Sequence, residues 1–233
     1  LGATISLPYA LDVSSQYLLW ISLFVIVSFI AGLILGKILG IHHRVAFLLS
    51  SGAAICGGTA MAAIAPIIKA KPQELLIAMT IVFLLNAVAI LLFPIIGSYL
   101  EMTNFEFGAW SALAIHDTSS VIGSALTYGS ESAQVAATLK LGRTIWLIPL
   151  ILIANWIFNK QATTAEFPRF IIFFLVAITL NTLLNFNDEI INFFQTFSKI
   201  FLLFGLFCIG SQFNAYEIKL IDGKPLLMAL ILW

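Results

Sequence analysis

Long apolar runs separated by short polar loops constrain this chain more than any other feature of its sequence. The clearest runs, 17–39 and 75–100, both exceed the roughly 20 residues that an α-helix needs to cross a bilayer. Hydrophobic residues make up 61% of the 233 residues and charged residues only 9%, whereas a soluble domain carries about 25% charged residues. We predict an all-α membrane protein, a multi-helix bundle forming a single transmembrane domain over residues 1–233.

Several functional classes have no support in the sequence. The formal net charge is zero, so nothing suggests nucleic acid as a partner. Cys56 and Cys208 lie in apolar segments and give no disulfide framework, and His42 and His43 lack the further ligands that a zinc site needs. No phosphate-binding glycine loop ending in Gly-Lys-Ser or Gly-Lys-Thr occurs, which disfavours ATP-driven transport. We predict no metal and no other cofactor.

The charges of the loops predict an orientation. Lys and Arg occur in loops 41–44, 69–74, 159–169 and 213–224, but not in loops 99–106, 129–132 and 187–190. The positive-inside rule places the first group in the cytoplasm, which predicts a multi-pass protein of the bacterial cytoplasmic membrane. Segments 45–68 and 107–128 then become re-entrant hairpins from opposite sides. The competing geometry, two broken helices that cross fully, moves loop 69–74 outside and loop 99–106 inside.

A polar run interrupts the apolar segment 107–128. His116 and Asp117 are followed directly by three hydroxyl residues, Thr118, Ser119 and Ser120. An Asp near mid-membrane costs at least about 2.5 kcal/mol, so it usually faces a cavity, a partner or a substrate. Asp, Thr and Ser also end one helix and cap the next. The run predicts a helix break; the structural alternative is a polar patch that satisfies itself between packed helices.

A second interruption lies within segment 45–68, at Cys56-Gly57-Gly58-Thr59. Two adjacent glycines cost about 1 kcal/mol each inside a helix and let another group approach the backbone closely. Paired interruptions in two parts of a membrane chain indicate a transporter's binding site. Each new helix N-terminus offers free N–H groups and a positive dipole end. We predict that both face one cavity and bind a small anion at mid-membrane, with the neighbouring hydroxyls as further donors.

Two cations and two glycines complete the sequence evidence. Lys140 and Arg143 lie three residues apart within the predicted helix 133–158, near mid-depth, where a cation needs a partner. Asp117 is the expected partner, which leaves one positive charge to favour an anion. The structural alternative is a plain Asp117–Lys140 or Asp117–Arg143 pair with a snorkelling neighbour.

Gly32 and Gly36 have the small-xxx-small spacing of a helix-packing face.

Several segments resemble the sulfate exporter family, the YeiH-type membrane proteins. They are residues 50–71, 114–117, 128–129 and 139–143, together with 1–6 and 223–227 at the two ends. The resemblance covers essentially the whole chain in the right order. It implies an inverted-repeat transporter fold whose unwound helices cross at mid-membrane, and a substrate such as sulfate or a sulfonate. It also implies that N-terminal helices and the end of the last helix are missing here.

Three functions are compatible with these residues. The leading hypothesis is a secondary transporter or exporter of a small oxyanion, coupled to H⁺ or Na⁺ or uncoupled. The second is a cation or proton antiporter in which Asp117 carries the ion and Lys140 competes with it. The third, an intramembrane enzyme built on His116 and Asp117, lacks a nucleophile with a base and an orienting group, so we predict no enzyme. A homo-oligomer is compatible with the sequence.

Overall fold

The computed structural model describes residues 7–158 and 223–233, with isolated helical positions between 176 and 204. Within these residues the structure is all-helical. The bounded helices are α1 (Leu7–Ile38), α2 (His43–Ala54), α3 (Gly58–Ile64), α4 (Pro72–Tyr99), α5 (Asn104–Ala114), α6 (Thr118–Tyr128), α7 (Ser130–Ile145), α8 (Leu147–Phe158) and α9 (Gly223–Leu232). The predicted spanning segments 170–186 and 190–212 lie largely outside the described residues.

Three helical stretches are long and apolar enough to cross a membrane: Tyr17–Ile38, Pro72–Tyr99 and Ser130–Phe158. The last stretch comprises α7 and α8, which meet at Trp146. Large apolar side chains such as Leu19, Leu91 and Trp156 are exposed on their outer surfaces. An outer surface of this kind is favourable in lipid and costly in water. The prediction of an all-α integral membrane protein is therefore supported.

One end of the bundle carries most of the described basic residues, and we call it the basic face. Here the start of α2 touches the start of α4, because Glu74 lies 3.0 Å from His42 Nδ1 and 3.9 Å from Arg44 Nη1. The end of α8 lies here too, since the rings of Phe47 and Phe158 have centroids 5.4 Å apart. The basic residues near this face are Lys37, Arg44, Lys69, Lys71 and Lys224.

The opposite end, the acidic face, carries Glu101, Glu106 and Glu131 and, in the described residues, no Lys or Arg. The starts of α5 and α7 meet here, where Asn104 Nδ2 donates to Glu131 Oε2 at 3.2 Å. The ends of α4 and α6 meet here as well, because the Tyr128 hydroxyl donates to the Met102 carbonyl just after α4. Helix α4 therefore runs from the basic to the acidic face, and α7 with α8 runs back.

Close packing joins α1 to α2 through the two glycines of α1. A Cβ added to Gly32 would overlap Ser50 Oγ, and one added to Gly36 would overlap the Cβ of Ala46. This confirms the packing face that the small-residue spacing predicts. The interior of the bundle is mostly apolar, yet Arg143 and Lys140 are among its largest fully buried side chains. Two buried cations in such a core need an explanation from their partners.

Candidate functional site

The first break, residues 55–57, separates α2 from α3. Gly57 has φ 61° and ψ −124°, a conformation that residues with a Cβ rarely adopt. A Cβ added to Gly57 would lie 3.3 Å from the backbone nitrogen of Asp117 and 3.3 Å from the carbonyl carbon of His116. Glycine is thus needed here for its conformation, and the lack of a side chain lets the two polar interruptions pack backbone to backbone.

The second break, residues 115–117, separates α5 from α6. Asp117 caps α6 as the sequence predicts, with Oδ2 accepting from the Ser120 backbone N–H at 3.1 Å and from the Ser120 hydroxyl at 3.2 Å. The backbone N–H of His116 donates to Oδ1 of Asn86 at 3.1 Å. Side chains therefore satisfy the N–H groups of His116 and Ser120 at this break, which would otherwise be costly in an apolar interior.

Asn86 is a site residue that the sequence analysis does not select. It is buried and lies about halfway along α4, 14 residues after Pro72 and 13 before Tyr99. By helix geometry this places the two breaks roughly 20 Å from either end of α4. A single amide in a long apolar helix is the sequence signal that points to it, because such a group needs a polar partner in the membrane.

Arg143 connects the two breaks. Its guanidinium donates to the carbonyls of Ala53 and Ala54 at the end of α2, at 2.6 and 3.2 Å. It also donates to the carbonyls of Ala112 and Leu113 at the end of α5, at 2.6 and 2.7 Å. The last carbonyls of a helix lack intrahelical donors and carry its negative dipole end. One cation therefore satisfies the C-terminal ends of both helices that lead into the breaks.

The expected ion pair of Asp117 with Lys140 or Arg143 is not formed. Glu74 pairs with His42 and Arg44, whereas Asp117 forms no ion pair with Lys140 or Arg143. Lys140 Nζ instead donates to the Ile115 carbonyl at 2.8 Å. The physical reason is that the helix C-terminal carbonyls, which carry a negative dipole end and lack intrahelical donors, accept from the cations, while Asp117 is engaged in capping α6. Both cations are fully buried, so neither side chain faces an open cavity.

Burial divides the predicted site residues into two groups. Thr59 is exposed and Asp117, Thr118 and Ser119 are half-buried. The fully buried group consists of Cys56, Gly57, Gly58, His116, Ser120, Lys140 and Arg143. The N–H groups of Thr118 and Ser119, in the first turn of α6, have no intrahelical acceptor. The accessible part of the site thus offers hydroxyl and N–H donors together with the Asp117 carboxylate, with cations behind them.

The His116 ring has no hydrogen-bond partner among the residues that the structure describes. It is 2% exposed, and neither Nδ1 nor Nε2 has a hydrogen-bond partner among the described residues. The Nδ2 of Asn86 is also buried without a partner there. No group of three or more His, Cys, Asp or Glu side chains suited to a metal ion occurs in the same part of the chain. The site therefore combines donors, cations and the Asp117 carboxylate around an imidazole that has no partner in the described residues.

Comparison with known proteins identifies the family. The sequence profile of the family described as conserved hypothetical protein 698 matches residues 1–229. The chain belongs to this family. UPF0324 membrane proteins with similar sequences occur in Shewanella oneidensis, 40% identical over 100% of this chain and 74% of the relative, and in Bacteroides thetaiotaomicron, 39% identical over 90% and 66%. Another from Porphyromonas gingivalis is 42% identical over 91% and 66%.

This chain of the conserved hypothetical protein 698 family spans only part of those proteins. It covers 66% of the length of the Bacteroides thetaiotaomicron and Porphyromonas gingivalis relatives. No solved structure matches it. The printed names of the relatives describe membrane proteins and state no substrate, so the comparisons establish family and membrane location, and the chemistry has to be argued from the site.

Proposed function

We propose that this protein is a secondary transporter of a small oxyanion of the sulfate or sulfonate class. The observation that carries the proposal is the meeting of the two breaks, where Gly57 contacts the backbone of His116 and Asp117. Discontinuous helices that meet in the middle of a membrane are a recurrent way to build a transporter's substrate site. The proposal does not extend to enzymatic activity, for which the site holds no activated nucleophile.

The proposed topology has two re-entrant hairpins, α2–α3 from the basic face and α5–α6 from the acidic face. The contacts of Glu74 with His42 and Arg44 support the first hairpin, because α4 begins where α2 begins. The contact of Asn104 with Glu131 supports the second hairpin, because α7 begins where α5 begins. Fully crossing helices would separate each of these pairs by the thickness of the membrane. Discontinuous segments from opposite sides are typical of inverted-repeat transporters, and an inverted-repeat fold is part of the proposal.

The positive-inside rule then orients the proposed topology. The basic face lies in the cytoplasm and the acidic face outside, which fits the cytoplasmic membrane of a bacterium. Residues 55–57 and 115–117 reach the middle of the bilayer from opposite sides. Irregular backbone at that depth is tolerated only where protein buries it or where it lines a cavity. The half-buried hydroxyls of Thr118 and Ser119 support the second of these conditions for the α6 N-terminus.

Anion binding in this proposal uses the donors at the start of α6. The N–H groups and hydroxyls of Thr118 and Ser119 contact the oxyanion, and the hydroxyl of Thr59 contributes from α3. Lys140 and Arg143 do not touch the anion; they act from behind the breaks through their positive charge and by holding the helix ends. Because interactions between charges are strong in a low-dielectric interior, buried cations that do not touch the anion still favour its binding.

A cation or proton antiporter is the second candidate function. It is favoured by Asp117, a half-buried carboxylate halfway between the faces that pairs with neither Lys140 nor Arg143. A carboxylate in such a place can bind and release Na⁺ or H⁺. The two functions disagree about its role: the anion transporter needs Asp117 as a helix cap, whereas the antiporter needs its negative charge.

Replacing Asp117 by Asn separates the two functions. Asn caps a helix about as well as Asp, so Asp117→Asn keeps the geometry and removes one negative charge. We expect sulfate to stabilise the purified variant against thermal unfolding at least as strongly as it stabilises the wild-type protein. The measurement is the Tm against sulfate, a sulfonate, chloride and sodium concentration at several pH values. Glu131→Gln, which removes one charge at the acidic face, is the matched control and should leave the sulfate response unchanged.

The contrary result is equally clear. Stabilisation of the wild-type protein by sodium or by protons but by no oxyanion, lost in a folded Asp117→Asn variant, would replace the anion transporter by the antiporter. Retained sulfate stabilisation without any sodium response would support the oxyanion proposal.

A further inference from the structure

The buried imidazole ring of His116, at the centre of the proposed site, has no structural role that the contacts around it explain. Its backbone N–H is fixed by Asn86, but both ring nitrogens are buried without a partner in the described residues. An unsatisfied buried polar atom costs about 1–3 kcal/mol. Native proteins retain such atoms mainly where water, an ion or a functional step satisfies them. Neither helix capping nor packing accounts for an imidazole at this position.

The charges around His116 make protonation of its ring depend on whether an anion is bound nearby. From α7, Lys140 binds the carbonyl of the residue just before His116, and Arg143 lies one turn further along the same helix. Cys56 lies in the first break beside Gly57, which packs against the His116 backbone; α4 presents the neutral Asn86, and Asp117 follows in the chain. Two cations face one carboxylate, so a third positive charge on His116 is repelled while the site holds no anion.

We infer that His116 takes up a proton when the oxyanion binds, so that the protein couples anion to proton. The inference rests on the proposed function and names its coupling ion. A dianion at the start of α6 offsets the charges of Lys140 and Arg143 and so favours the imidazolium. By linkage the effect is reciprocal, and the imidazolium tightens anion binding by the same factor. The proton comes from water, binds one ring nitrogen and leaves when the anion leaves.

Three buried hydroxyls lie at increasing depth below the acidic face, on the three helices α5, α6 and α7. Ser132, Ser124 and Ser111 have hydroxyl oxygens that are buried without a partner in the described residues. They lie two, four and seven residues from the acidic-face ends of α7, α6 and α5, about 3, 6 and 10 Å deep at the rise of an α-helix. Buried water commonly satisfies such groups. The same inference therefore includes a hydrated route for the proton from the acidic face.

The test measures sulfate affinity of the purified protein between about pH 6 and 9, which brackets the ordinary range of histidine. The charge of sulfate does not change in this range. Uptake of one proton with each sulfate makes the affinity fall by up to about tenfold per pH unit as the pH rises. His116→Gln keeps a polar side chain that cannot titrate and should show no such slope. His42→Gln replaces an exposed histidine at the basic face and should keep the slope.

A direct count of protons does not depend on any variant. Sulfate added to the wild-type protein in weakly buffered solution should cause proton uptake, approaching one proton per sulfate within the sloping range. Ser111→Ala and Ser124→Ala should leave the amount of uptake unchanged and slow it several-fold in stopped-flow measurements. Unchanged rates in both variants would overturn the hydroxyl route.

The remaining outcomes separate this inference from the proposed function. Sulfate binding with the same affinity at every pH, or a full slope in His116→Gln, would overturn proton coupling and leave the anion transporter intact. Failure of sulfate and of every sulfonate to bind the wild-type protein would overturn the proposed function, and this inference with it.

Discussion

The first break depends on the conformational freedom of a glycine, whereas the second break depends on hydrogen bonds made by side chains. At the first break Gly57 adopts a positive φ and no side chain caps α3, a helix of 7 residues. At the second break Asp117 caps α6, a helix of 11 residues, and Asn86 binds the N–H of His116. Accessible polar groups follow the same division, with three half-buried residues at the second break and only Thr59 beside the first.

This difference assigns separate tasks to the two breaks. The glycine break supplies a bare backbone surface against which His116 and Asp117 can pack. The side-chain break presents the donors and the titratable groups. Arg143 belongs to both, because it binds the helix end that precedes each of them. A substitution at Arg143 should therefore affect both breaks, and one at Gly57 should affect the contact between them. A substitution at Asn86 should affect the second break alone.

The largest loss is expected for Arg143→Ala. It leaves the carbonyls of Ala53, Ala54, Ala112 and Leu113 without their donor. Each of the four unsatisfied buried groups costs about 1 kcal/mol or more, so stability should fall by at least about 4 kcal/mol. Thermal unfolding in detergent measures the loss, and hydrogen exchange should rise at both breaks.

Two further arginine variants sharpen this prediction. Arg143→Lys keeps the charge but loses the planar fork that reaches two helix ends, so it should recover only part of the stability. Arg44→Ala removes a partly exposed arginine whose partner is Glu74 at 3.9 Å and should cost less than about 1 kcal/mol. Equal losses in Arg143→Ala and Arg44→Ala would contradict the connecting role of Arg143.

A smaller loss, about 2 kcal/mol, is expected for Gly57→Ala, because a Cβ adds backbone strain and crowds the backbone of the second break. Gly40→Ala is the matched control. Gly40 has φ 66°, close to the 61° of Gly57, but the nearest atom to an added Cβ is Lys224 Nζ at 4.0 Å. Gly40→Ala should therefore lose only the stability that backbone strain costs, about 1 kcal/mol. If both variants lose the same stability and bind sulfate equally, the contact between the breaks has no functional role.

The smallest effect is expected for Asn86→Ala, which leaves the His116 N–H without its acceptor. We expect a loss of about 1 kcal/mol. Hydrogen exchange should increase at residues 115–118 and stay unchanged at residues 55–58, because the first break has no such side-chain acceptor. Thr80→Ala, a buried polar residue on the same helix, controls for general loosening of α4. Increased exchange at both breaks would show that they do not differ in the way described.

Local sequence chemistry predicts much of this structure. Apolar length identifies α1 and α4. The end of α5 and the start of α6 fall beside Asp117, whose capping of α6 follows from its residue type. Gly57 and Gly58 mark the junction of α2 and α3 for the same kind of reason, since two glycines weaken a helix. The spacing of Gly32 and Gly36 predicts their packing face because close approach needs small residues.

Long-range partners are what the sequence does not reveal. Side-chain charges suggest pairing Asp117 with Lys140 or Arg143, but the real acceptors are backbone carbonyls, which every residue carries and no residue type marks. Asn86 is visible as a polar residue in an apolar helix, yet its partner is again a backbone group, the N–H of His116. A site built from helix ends is therefore recognisable from sequence by its breaks, while the residues that hold it together are not.

The long separation of Arg143 from its acceptors has a consequence for biosynthesis. Ala53 and Ala54 precede Arg143 by 90 and 89 residues. At a synthesis rate of about 5–20 residues per second, their carbonyls leave the ribosome roughly 5–18 s before the guanidinium that will bind them. Hydrocarbon offers them no substitute donor during that interval. We therefore expect segment 45–68 to remain hydrated until α7 has been made, and to take its final place only then.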